Sequence, residues 1–349
     1  FWNRLKNSHE VYKDEIEWLK KIWWHKINGY WFFNNGKPTY ICGWHFMYVN
    51  FWQYTETKKS GDKFPEYRDR DRRWFLFNWY AYTCTETFKH IDDKGKALKV
   101  DGKYEMVDVG RRTLYGTGNT KQRRAGETHK SLCICHEIMS VSEGGVSGII
   151  SYTNINSEKH FREKLVPAWQ RFPIFFMPYY DGSYAPSNNI RYRVPGTEVG
   201  KVGVDAVMNY AESGDGKAYD GSRLVGILCD EEGKDVTNDV PGRWDVLKYC
   251  LSEGISIHGF AIHPSTVEDI NGDGAKAYKQ LADQSNFYER LEASGSTKSG
   301  LIWQFYPASD AHEGFIDSYG YSVIGEVLPY QKEEGFKITA DYYLKKKRQ

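Results

Sequence analysis

The segment Lys121–Ser131, KQRRAGETHKS, decides the reading of this chain. It follows a short apolar run at Thr113–Tyr115 that reads as a strand, and it opens the periodic stretch Thr128–Met139 that reads as a helix. A strand, a basic glycine-containing turn and a helix, in that order, suit an anion: the N–H groups of the first helical turn, backed by the helix dipole, favour phosphate. A strict GxxxxGK(S/T) pattern is absent, and two registers compete. One closes on Lys130 and Ser131 and sets Arg124 and His129 where glycines belong. The other closes on Glu127 and Thr128, keeps Gly126 at the tight turn and loses the usual lysine. We prefer the second, because glycine there is a steric requirement whereas positive charge can come from Lys121, Arg123 or Arg124. Thr128 then supplies the hydroxyl for magnesium. Taken alone, a basic loop capping a helix fits the same letters.

Two further segments lie downstream. RLVGILCDEEGK, Arg223–Lys234, is an apolar run that ends abruptly in acid, and ligands bind at such strand ends in open α/β sheets. Asp230 is the candidate to hold magnesium and Glu231 to orient and deprotonate a water, with Glu232 in reserve. A strand that merely ends in a charged turn is the competing reading. ISIHGFAIHPSTVED ends in Ser265 and Thr266, hydroxyls that could sense a γ-phosphate or simply cap a turn. The order and spacing of the three segments together carry the case for a nucleotide site.

Between them the pattern alternates short apolar runs with helical stretches, which predicts an α/β unit with a mostly parallel sheet flanked by helices. Strands are predicted near Thr113–Tyr115, Gly145–Ser151, Leu224–Cys229 and Ile255–Ala261. Helices are predicted near Thr128–Met139, Glu158–Gln170, Arg243–Leu251 and Ala275–Asp283. Upstream, His9–Lys26 reads as a helix, Asn28–Lys37 as a short hairpin and Arg70–Phe88 as a second helix. The expected organisation is an N-terminal helical and hairpin extension over 1–110, an ATPase core over 111–300 and a lid or linker over 301–349.

The chain has 349 residues, 40% of them hydrophobic and 27% charged, an ordinary globular mixture. A net charge of +1 does not announce a nucleic-acid binder, so any DNA contact has to be local. Aromatic residues make up 16% and crowd the first hundred positions, where a packed core is favoured over base-stacking platforms. Six cysteines without a CxxC pair predict reduced thiols and no zinc cluster. No membrane-length apolar run and no signal peptide are apparent, so the expectation is a soluble intracellular protein.

GWHFMYVNFW near Gly43, the run RDRDRR at Arg68–Arg73, KQRRAGET, CDEEGK, and PSTVED with KQLADQSN resemble the ATPase half of tailed-bacteriophage large terminases, most of all those of crAss-like and related gut phages. The likeness spans nearly all of the chain. It implies an additional-strand (ASCE-type) P-loop NTPase fold using ATP and Mg2+, with Lys121, Gln122, Arg123, Arg124, Ala125, Gly126, Glu127 and Thr128 as the phosphate loop. Lys121 and Arg124 would be catalytic cations, and Thr128 and Asp230 would hold the metal. Glu231 would be the catalytic carboxylate, and Ser265 and Thr266 would couple hydrolysis to movement. An adenine contact near Trp44 and His45 and a trans-acting Arg162 or Arg171 complete the set. Glu127 departs from the lysine of better-known members. The resemblance further implies double-stranded DNA, a portal protein, a small terminase subunit and sister subunits of a ring as partners, in the host cytoplasm without a membrane, and a nuclease half for which this chain has no room. Two other classes remain: a metal-dependent nuclease built on Asp230, Glu231, Glu232 and Asp235, and a non-catalytic structural protein.

Overall fold

The computed structural model describes residues 13–55, 61–123, 125–193, 205–211, 217–236, 239–266, 272–289 and 295–347. Two compact units form, one of Phe1–Trp79 with His312–Gln349 and the other of Tyr80–Ala311.

In the first unit the helix Lys13–Asn28 leads into an antiparallel hairpin, Tyr30–Asn34 with Lys37–Ile41. Asn35 and Gly36 close it, both at positive φ (48° and 72°), which matches the twist of paired strands. The helix Gly43–Phe51 buries Trp44, His45, Phe46 and Met47. The His45 ring stacks on Phe75 at 4.8 Å and on Tyr67 at 5.8 Å. The aromatic excess is therefore divided: Trp44, Phe46, Tyr48, Trp52, Trp74 and Phe75 are buried, whereas Trp24, Trp31 and Phe33 are exposed.

The second unit is built on a seven-stranded sheet. Its strands are β1 (Gly116–Thr120), β2 (Gly145–Ser151), β3 (Asn189–Arg193), β4 (Asp205–Tyr210), β5 (Leu224–Asp230), β6 (Phe260–Ser265) and β7 (Leu301–Phe305). The order is β3-β4-β2-β5-β6-β1-β7, parallel throughout except where β3 pairs antiparallel with β4. Helices α1 (Glu127–Ser140), α2 (Asn154–Lys159), α3 (Val240–Cys250) and α4 (Asp273–Asp283) join the strands. Every residue of β5 is buried, the continuous apolar run that a central parallel strand covered on both faces requires. Leu132, Ile134, Ile138 and Met139 of α1 are buried, as are Val240, Trp244 and Leu247 of α3, the latter in one cluster with Ile227, Cys229 and Leu301. All six cysteines are free thiols.

Several boundaries depart from expectation for identifiable reasons. The strand predicted at Thr113–Tyr115 lies one step later, in GTGNT, whose composition reads as a turn. Its glycines are forced by close approach: a Cβ on Gly116 would sit 2.0 Å from the Ala261 carbonyl oxygen, and one on Gly118 would sit 2.0 Å from the Trp303 ring. Likewise the strand predicted at Ile255–Ala261 is Phe260–Ser265, preceded by a small hairpin, Ser252–Glu253 with Ser256–Ile257. Residues 301–305, read as connecting chain, form the edge strand beside β1. The stretch predicted as one helix from Glu158 to Gln170 is α2, a π-helical segment His160–Leu165 and the short helix Val166–Gln170. The predicted helix Arg70–Phe88 ends at Thr83, and a strand, Thr85–Lys89, follows. Residues before Lys13 in the predicted His9–Lys26 helix lie outside the described residues. No helix among the described residues is long and apolar enough to cross a membrane.

Candidate functional site

Parallel strands bring their C-terminal ends to one edge of the sheet, where the loop after β1 begins and where β5 and β6 end in Asp230 and Ser265. The turn from β1 to α1 carries the loop. Gly126 adopts the left-handed conformation (φ 73°, ψ 6°) immediately before Glu127 opens the helix, the role assigned to glycine in the preferred register. Lys121, the first residue after β1, donates its backbone N–H to the Ser265 carbonyl at 3.0 Å, which ties the loop to the end of β6.

The side chains converge in pairs more than a hundred positions apart in sequence. Lys121 Nζ lies 2.6 Å from Glu231 Oε1, with only 6% of the lysine side chain exposed. Thr128 Oγ1 donates to Asp230 Oδ2 at 3.1 Å. Glu231 Oε2 accepts from the Thr266 hydroxyl at 2.6 Å and from the Thr266 N–H at 3.1 Å, and lies 2.9 Å from Lys234 Nζ. Successive strand residues point to opposite faces, so Asp230 and Glu231 reach one site only because the chain turns between them. Glu231 takes a left-handed φ of 59°, with its N–H bonded to the Pro264 carbonyl at 2.8 Å. Such backbone strain in a non-glycine residue persists where its surroundings over-determine it.

Electrostatics follow from burial and pairing. Burial pushes the Asp230 carboxyl up, but the His160 ring beside it and the Lys121 and Lys164 ammoniums outweigh this and hold it down at about 2. Glu231 is lowered in the same way, burial being opposed by Lys121 and Thr266. Desolvation works against the Lys121 charge, yet Asp230, Glu231 and Glu127 raise its pKa above the ordinary lysine value. Lys164 goes the other way: desolvation outweighs Asp230 and Glu231 and lowers it. His129 is pushed down to about 3 by desolvation, then by Lys164 and His160, so it is neutral near pH 7.

Of the other loop residues, Gln122 is half-buried, Arg123 and Gly126 are exposed and Ala125 is buried. Glu127, at the position of the missing lysine, is 2% exposed and accepts from the Asn119 amide of β1. Arg124 lies outside the described residues. Ser265 is buried and bonded internally, accepting from the Gly233 N–H at 2.9 Å and donating to the Thr266 carbonyl at 3.2 Å. Trp44 and His45 are buried in the first unit. Arg162 pairs with Glu158 at 2.8 Å, and Arg171 donates to the Pro167 carbonyl at 2.7 Å.

Glu232 and Asp235 do not join Asp230. Both face the buried Arg243 of α3, at 2.9 and 3.1 Å, and Glu232 also lies 2.6 Å from His263 Nδ1. Sequence reading missed Lys234, Asn119 and, above all, His160, whose Nε2 lies 2.7 Å from Asp230 Oδ2.

A magnesium ion needs an unspent oxygen beside a hydroxyl. Asp230 offers it: Oδ1 is buried with no hydrogen-bond partner among the described residues, while Oδ2 takes Thr128. The residues present therefore fit the ion.

The sheet is mostly parallel and flanked by helices, with one strand, β6, between the loop strand β1 and the acid-ending strand β5, the mixed α/β arrangement expected from the sequence. No protein-family model and no curated protein matches the chain. Among solved structures it is similar to the ATPase domain of the Thermus phage P74-26 large terminase. An arginine-to-alanine variant of that domain gives 14% identity and a TM-score of 0.41, covering 58% of this chain and 80% of that one. A second structure of the domain gives 14% identity and a TM-score of 0.37, with the same coverage.

Proposed function

We propose that this chain hydrolyses Mg-ATP and is the motor of a viral DNA-packaging machine. The observation that carries the first part is the double convergence at the strand ends, Thr128 on Asp230 and Lys121 on Glu231. It joins a hydroxyl and an unspent carboxylate oxygen for a metal to a buried cation and a second carboxylate. In this reading the α1 N-terminus and Gly126 cradle the phosphates. Thr128 and Asp230 hold magnesium, which when bound neutralises phosphate charge. Lys121 stands in for the lysine that Glu127 replaces, reaching the phosphates from the start of the loop. Glu231 orients the attacking water and accepts its proton. The nuclease alternative is disfavoured because two of its four acids are committed to Arg243.

The second part rests on the sequence likeness to large terminases, crAss-like ones most of all, and gives double-stranded DNA, a portal protein, a small terminase subunit and a homo-oligomeric ring as partners in the host cytoplasm. Ser265 and Thr266 then couple hydrolysis to movement, Thr266 through its grip on Glu231. Calorimetry of Mg-ATP binding with Thr128→Ala and Asp230→Asn tests the site. Saturable 1:1 binding weakened by both substitutions is expected. Binding that neither changes would place the nucleotide elsewhere and refute the assignment.

A further inference from the structure

His160 stands outside every motif in the sequence and yet touches the carboxylate assigned to magnesium. It is 8% exposed and opens the π-helical segment His160–Leu165 that continues α2. Single π-helical turns inside helices are uncommon and recur at functional sites. From there its Nε2 comes within 2.7 Å of Asp230 Oδ2, the oxygen that also accepts from the Thr128 hydroxyl. Both ring nitrogens are buried and neither makes an aligned hydrogen bond among the described residues; Nε2 meets Oδ2 as a close polar contact. Two polar contacts thus fall on one Asp230 oxygen, and Oδ1 is left bare.

We infer that His160 is a positioning residue for the metal subsite, holding Asp230 by Oδ2 so that Oδ1 faces the ion. The inference rests on the Mg-ATP reading of the site. A carboxylate that carries its metal through one oxygen needs its rotation about the terminal bond fixed, and Thr128 cannot do that alone, because in the same reading its hydroxyl turns to the ion. The ring against Oδ2 remains to fix it. Partners of this kind, which touch a ligand and not the metal, commonly change metal affinity about 10- to 100-fold when removed.

The test uses Mn2+ as a paramagnetic substitute for Mg2+, titrated by electron paramagnetic resonance into the full chain with a non-hydrolysable ATP analogue. Wild type is compared with His160→Ala and His160→Gln, and analogue binding is measured in parallel in EDTA. His160→Ala is expected to weaken Mn2+ by about ten-fold or more while leaving metal-free analogue affinity unchanged, and His160→Gln, whose amide can still reach Oδ2, to recover most of the loss. A merely structural role would lower both affinities together and would not discriminate the glutamine. If His160→Ala fails to fold, His160→Asn, too short to reach, is judged by the same criterion. Mn2+ affinity within two-fold of wild type in a folded His160→Ala overturns this inference alone. A wild-type chain that takes up no Mn2+ with the analogue overturns the reading of the site and this inference with it.

Discussion

Replacing Lys121 by alanine separates the proposed role of this lysine from that of the other loop cations. Its ammonium lies 2.6 Å from Glu231 with 6% of its side chain exposed, so solvent screening is slight. Removing one partner of a buried pair costs about 3–5 kcal/mol because the other charge stays behind. Lys234 and the Thr266 hydroxyl still serve the second oxygen of Glu231, which sets the cost at the lower end, about 3 kcal/mol. In a unit of this size that lowers the melting temperature by about 6–12 °C. The chemistry should suffer more than the fold. Loss of a charge-assisted contact weakens ATP by about ten-fold, and loss of a preorganised cation at developing charge slows DNA-stimulated turnover by about 10²–10³-fold. Arg123, exposed on the same loop, should change turnover by less than about three-fold when replaced by alanine. Scanning fluorimetry, nucleotide titration and a phosphate-release assay read the three quantities. Wild-type turnover in Lys121→Ala, or its abolition by Arg123→Ala, would refute the assignment of the cation to the start of the loop.

Four other outcomes follow from the same geometry. Asp230 has a folded pKa of about 2, below its unfolded 3.8. Its stabilisation, about 2.5 kcal/mol, is therefore complete above about pH 4 and is lost as pH falls from there toward 2; Asp230→Asn should flatten the melting-temperature slope in that window relative to wild type. Gly118→Ala drives a Cβ into the Trp303 ring and should cost about 1–3 kcal/mol in chemical denaturation, much of it restored by Trp303→Leu, whereas Gly116→Ala meets backbone and should find no such rescue. Arg243→Met strands the buried Glu232 and Asp235 and should destabilise by about 3–5 kcal/mol. Glu232→Gln should lower the melting temperature yet leave Mg-ATP affinity within about two-fold, since Glu232 faces Arg243; a loss of metal affinity there would revive the nuclease reading.

What the sequence disclosed and what it hid divide along physical lines. β5 was legible because a strand covered on both faces must be apolar from end to end, and its acidic end because charge at the edge of such a run is conspicuous. β1 was displaced by one step because close approach to β6 and to Trp303 demands glycine, and GTGNT then carries no hydrophobic signal at all. β3, NIRYR, was missed because it is an edge strand whose residues alternate between buried and exposed; too few apolar positions remain to mark it. The tight turn at Gly126 was legible, since glycine is the residue that takes a left-handed conformation freely, but the partner of Lys121 was not, because a salt bridge across 110 positions leaves no local pattern. His160 was beyond reach for a different reason. A wheel drawn at 3.6 residues per turn fixes which face each residue of the predicted Glu158–Gln170 helix presents, and the π-helical segment that starts at His160 breaks that phase. Nothing in the letters marks where the period changes, so the placement of His160 against Asp230 could be found only in three dimensions.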